Sequence, residues 1–140
     1  MAGDPMAVAA LMVEAFNDAD WPALAVLLDP EMAYEETGVG RHPAGPDGYL
    51  GLCRRWKAAL PDVRVTVLRT LATGSTVAQE TTWTGTHTGP LEVPSGTIPP
   101  TGRRVTVWAT LWFTVREGRC VSVRHHLDLH ALLGQLGVLP

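Results

Sequence analysis

The chain has 140 residues, 46% of them hydrophobic and only 18% charged, with a formal net charge of -3. That length suits one domain able to bury a core without disulfides or metal, and the charge balance lacks the clustered basic face that nucleic-acid binding needs. Against a usual charged share of about 25%, the shortfall implies much enclosed surface: a large core, a lined cavity or a buried subunit interface. The cysteines, Cys53 and Cys120, form neither a disulfide framework nor a zinc spacing and read as small buried side chains. At the N-terminus no basic stretch precedes an apolar run. No segment approaches the roughly 18 apolar residues of a membrane span, so a cytoplasmic protein with no membrane partner is expected.

Asp4 followed by Pro5 is an N-cap with proline at the first helical position, and Val8, Leu11, Met12, Ala15 and Phe16 then recur at helical spacing. Asp20 caps a shorter helix opened by Trp21-Pro22, with Leu24, Leu27 and Leu28 on its inner face. Met32 to Thr37 reads as a short strand, and the glycine- and proline-rich run 38–48 as a loop. Tyr49, Leu52, Cys53, Trp56 and Leu60 stripe a third helix, which Pro61 stops. From there the period changes to two. Val63, Val65 and Val67 alternate with polar residues, and residues 76–87 are rich in Thr, Val and Trp. The proline- and glycine-rich residues 88–102 predict no regular structure. Val105 to Val115 alternate with Thr106, Trp108, Thr110, Trp112 and Thr114, and Glu117-Gly118 turns into a strand alternating Val121, Val123, His125 and Leu127 with Ser122, Arg124 and His126. Leu129, Leu132, Leu133 and Leu136 mark a final short helix. The expected fold is α+β: a curved, antiparallel or mixed sheet wrapped on three N-terminal helices, enclosing a hollow as the natural ligand site.

Several side chains invite chemistry. Asp128, where the last strand meets the last helix, is either an N-cap or a carboxylate made basic by an apolar pocket. Strand alternation puts it with Arg124 and His126 on the more polar face. Trp108 and Trp112 alternate with threonines, a pattern suited to a pocket wall or to a subunit interface, and Trp83 lies on another strand. Tyr34 and Trp56 are lining or core residues. Glu80 is an exposed strand charge or a partner of Arg124. His126, Asp128 and His130 could chelate only if one strand ran through all three, and the leucine stripe turns His130 away, so no metal site is expected. His125 falls on the apolar parity, as a hydrogen-bonded core residue would.

Three segments carry a resemblance: Trp83-Thr84-Gly85-Thr86-His87-Thr88-Gly89, Pro100-Thr101-Gly102-Arg103, and Asp128 followed by Leu132-Leu133-Gly134-Gln135-Leu136-Gly137. With Asp20-Trp21 and Leu60-Pro61-Asp62 they make the chain similar, over nearly its whole length, to the SnoaL-like polyketide cyclases of the NTF2-like superfamily. The resemblance implies an α+β cone, often dimeric, acting without metal or organic cofactor. It further implies intramolecular aldol closure of a polyketide or another small apolar ketone, with Asp128 as acid/base. His87, at the pocket mouth in the family pattern, or Arg124 would hold the developing enolate oxygen. Relatives of this fold also isomerise, hydroxylate or open epoxides, and a non-catalytic binder or dimeric interaction module is the alternative from another class.

Overall fold

The computed structural model describes residues 3–139. Helix α1 (Pro5–Asn17) starts where Asp4 accepts a hydrogen bond from the Ala7 amide, and α2 (Trp21–Ala25) where Asp20 accepts one from Ala23. Strand β1 (Leu28–Thr37) begins earlier than Met32, because Leu28 leaves the helix and pairs with Cys120. Helix α3 (Gly45–Ala59) likewise begins before Tyr49. Pro46 supplies a fixed φ and Asp47 a favourable charge in its first turn. Within this helix position 48 favours glycine, because a Cβ there would meet Pro43 at 2.8 Å.

Strands β2 (Arg64–Thr73) and β3 (Thr76–Thr86) form a hairpin with a register shift between Val67 and Arg69. Residues 88–102 are not wholly irregular. Strands β4 (Leu91–Val93) and β5 (Gly96–Ile98) close a small separate hairpin there, because Gly96 takes a positive φ that lets so short a turn pair. Strands β6 (Arg104–Arg116) and β7 (Arg119–Leu127) follow, joined by Glu117 and Gly118, both at positive φ as a tight hairpin turn requires. Helix α4 (Leu129–Leu136) ends on Gly137 in the left-handed conformation.

The main sheet is mixed, in the order β1-β7-β6-β3-β2, with β1 parallel to β7 and the other neighbours antiparallel. Its apolar parity on β6 is buried, and Val105, Val107, Leu111, Phe113 and Val115 share one core with Met12, Phe16, Leu52 and Trp56 of the helices. The opposite parity faces solvent, where Trp108 and Trp112 are 57% and 45% exposed. Helix α4 is moored to β6 by Gln135, whose side chain accepts from the Thr106 amide and donates to the Thr106 carbonyl. No helix among the described residues is long and apolar enough to cross a membrane.

Candidate active site

Met32, Tyr34 and Glu36 share one face of β1 by strand alternation, and that face is buried. Glu36 is therefore carried into the core. Across the parallel ladder it stands in register with His125 of β7, whose alternation with Val123 also turns it inward. These two chain-distant residues meet in a polar cluster. The Tyr34 hydroxyl donates to Glu36 Oε2 at 2.8 Å and lies 3.0 Å from His125 Nδ1. The Trp56 indole N–H, brought by α3, donates to the same Oε2 at 2.9 Å. Glu36 Oε1 receives Arg41 Nε at 2.7 Å and its terminal nitrogen at 2.6 Å, and that guanidinium lies 5.4 Å from the Trp56 ring centre.

These contacts decide the charge of Glu36. Burial would raise its pKa, but His125, with Nδ1 3.9 Å from Oε2, the Trp56 indole donor and the Arg41 guanidinium outweigh that and bring it down to about 2. Glu36 is thus a buried carboxylate with every lone pair claimed by a designed neighbour. Tyr34 shifts the other way: burial and the adjacent carboxylate raise its pKa, so it stays a neutral donor. The His125 ring stacks on Trp83 at 4.9 Å, and its Nε2 is buried without a partner.

Two small cavities adjoin this cluster, of about 30 and about 20 Å³, and Trp56, Trp83 and His125 line both. The first is otherwise walled by Phe16, Tyr49 and Phe113 and the second by Val105, Val107 and Leu132. Each has room for about one water, against the roughly 300–1,000 Å³ of sites for larger ligands. On its outer side Trp56 also lines a surface cleft of about 210 Å³ with Arg41 and Leu91.

The residues singled out by sequence divide between the two faces. Tyr34, Trp56 and Trp83 are in the interior and line the cavities. Asp128, Arg124, His126, Trp108 and Trp112 are on the solvent side and line neither cavity. The alternation holds, and the Thr/Trp face of β6 and the Arg124/His126 face of β7 point away from the helices. Asp128 is exposed, and its carboxylate accepts from the Ala131 amide at 3.0 Å as the N-cap of α4. His126 Nδ1 is paired with the Thr37 hydroxyl at 2.8 Å. Glu80 pairs loosely with Arg69 at 3.6 Å, not with Arg124.

His87 is fully buried but lines neither cavity; its Nδ1 receives the Thr101 amide at 3.1 Å and pins the end of the 88–103 excursion. Cys53 and Cys120 are buried thiols, each pushed up to about 12 by burial. No three His, Cys, Asp or Glu side chains among the described residues converge as metal ligands. Glu36 escaped the sequence reading altogether. The available signal was a carboxylate on the same parity as Met32 and Tyr34.

A mixed sheet covered by helices on one face only, with a charged cluster sealed beneath them, defines an NTF2-like α+β domain. The family model of SnoaL-like polyketide cyclases matches residues 7–136, and the chain belongs to that family. Among solved structures, the chain is similar to IdmH from Streptomyces antibioticus, a proposed polyketide cyclase. The two are 33% identical, with 96% of this chain and 99% of that one covered and a TM-score of 0.80. A SnoaL-like polyketide cyclase candidate from Jannaschia sp. CCS1 shares 17% identity over 97% of this chain and 93% of its own, with a TM-score of 0.84. An LEH-like epoxide hydrolase from Mycobacterium tuberculosis shares 21% identity over 94% of this chain and 88% of its own, with a TM-score of 0.73. At these identities the last two show the fold alone. No match was found among curated proteins.

Proposed function

We propose that this protein is an enzyme performing acid/base chemistry on a small, apolar, ring-containing ketone or polyketide held between the helices and the sheet, with aldol ring closure as the reaction. The observation that carries this reading is the buried Tyr34–Glu36–His125–Trp56 cluster in an otherwise apolar interior. Burying a carboxylate is expensive even when it is paired, and an apolar replacement of the same volume is often neutral or stabilising. A fold has little structural reason to keep such a group, whereas enolate chemistry has use for fixed donors and a proton carrier in a dry site. The likeness to IdmH, covering nearly both chains, favours cyclisation over the epoxide opening named for the mycobacterial neighbour.

A ring-sized ligand needs more space than the two cavities provide. Trp56 lines both cavities and also the surface cleft beside Arg41, so a ring-sized ligand would have to enter past it. The test uses 2-tetralone, an apolar bicyclic ketone with acidic protons next to its carbonyl. Titration should quench the fluorescence of the lining tryptophans, and in D2O the protein should accelerate exchange of those protons followed by NMR. Binding without exchange would mark a receptacle instead of an enzyme. Absence of both would remove the interior as the site.

A further inference from the structure

The acid/base group itself is still to be assigned, and the hydrogen-bond network assigns it. The Tyr34 hydroxyl has one proton. Glu36 is an acceptor on both oxygens, so at 2.8 Å from Oε2 the hydroxyl must spend its proton there. The other short contact of the same oxygen, to His125 Nδ1 at 3.0 Å, can then be a hydrogen bond only if the imidazole donates. The proton of neutral His125 is therefore fixed on Nδ1. Its Nε2 is left as a bare lone pair, buried, without a protein partner, on a ring that lines both cavities and is stacked on Trp83. The arrangement follows the logic of an oriented base: a carboxylate fixes the tautomer and stabilises the imidazolium that forms, here with a tyrosine hydroxyl as the relay.

We infer that His125 Nε2 is the catalytic base of this protein, with Tyr34 and Glu36 as positioning residues, and that Asp128 serves as a helix cap. This rests on the reading above that the ketone is held in the interior. In the step, the C–H bond next to the carbonyl breaks, its proton goes to Nε2, and its electron pair moves onto the carbonyl oxygen as an enolate. The enolate carbon attacks a second carbonyl of the same molecule, and the resulting alkoxide takes the proton back from Nε2. His125 returns to its starting state, and no oxidant or second substrate is consumed.

Two measurements decide it. In a long-range proton–nitrogen spectrum of uniformly ¹⁵N-labelled wild-type protein at neutral pH, His125 should show a protonated Nδ1 and a bare Nε2. Tyr34→Phe leaves the ionised Glu36 Oε2, 3.9 Å from Nδ1, as the acceptor of that proton, so the ring should keep its tautomer. A wild-type ring already protonated at Nε2 would overturn the assignment. In the 2-tetralone exchange assay, His125→Gln should lose about 10²–10⁴-fold in rate with binding retained, the usual range for removing a general base. Tyr34→Phe should lower kcat more than it raises KM and displace the pH–rate profile, which a merely structural tyrosine would not do. Wild-type exchange rates in folded His125→Gln protein would sink the proposal, as would a bound ketone that wild-type protein fails to exchange. If 2-tetralone does not bind at all, the reading of the interior fails first, and the tautomer spectrum still decides the assignment of the ring.

Discussion

Replacing Glu36 by glutamine separates the charge of the buried carboxylate from its shape, and the structure gives the size of the effect. Glu36 titrates at about 2 in the folded protein instead of an ordinary 4.5. A carboxyl with a depressed folded pKa adds stability that is complete above the unfolded value and is lost as pH falls toward the folded one. The gap of about 2.5 units, at about 1.36 kcal/mol per unit, makes that contribution roughly 3 kcal/mol at neutral pH. Glu36→Gln should therefore lower stability by about 3 kcal/mol at pH 7, a drop of roughly 1–3 M in urea midpoint. Because glutamine imitates the protonated acid, the difference should shrink only below about pH 4.5 and fall under about 1 kcal/mol near pH 2.5. Urea titrations of both proteins at pH 7, 5, 4 and 2.5, followed by tryptophan fluorescence, measure it. A gap that stays constant down to pH 2.5, or that closes between pH 7 and 6, would refute the view of Glu36 as an ionised, fully paired group.

Asp128→Ala should cost about 1 kcal/mol through the lost cap on Ala131, whereas Asp128→Asn should melt within about a degree of wild type, since asparagine caps as well. At Gly89 a Cβ would overlap the Ala58 carbonyl, so Gly89→Ala should destabilise by more than about 3 kcal/mol or fail to accumulate, as its urea midpoint or soluble yield will show. The exposed Trp108 and Trp112 on the open sheet face suit a self-complementary contact. Light scattering should give a dimer at micromolar concentration, and Trp108→Glu a monomer with unchanged circular dichroism.

Local chemistry made much of the fold legible. The caps at Asp4, Asp20 and Asp128, the shift from helical to twofold period after Pro61 and the Glu117-Gly118 turn all have causes within a few residues, and each appears in the structure where it was expected. The β4–β5 hairpin was hidden because proline and glycine content cannot distinguish a loop from a short tight ladder. The site was less legible for a different reason. Alternation sorts β6 and β7 into two faces but does not say which one the helices cover. Polar residues were assigned to the pocket, whereas the covered face is the apolar one, interrupted by a few buried polar residues such as Glu36 and His125. His125 was read as a hydrogen-bonded core residue, as it is; its partners were invisible because they come from β1, at the far end of the chain.

That distance bears on how the molecule comes into being. Tyr34 and His125 are 91 positions apart, and the ladder that joins them unites the first strand with the last. During synthesis at about 5–20 residues per second, β1 waits several seconds for its neighbour, with the Glu36 carboxylate still in water. Closing so long a loop is entropically costly and slow, so strand β7 should dock late, after the β2–β3–β6 meander has formed. Desolvation of Glu36 then coincides with the arrival of the C-terminal strand. A nascent or truncated chain ending before β7 would present an open β1 edge and lack the Tyr34–His125 contact, leaving the unfinished protein prone to pair with other chains.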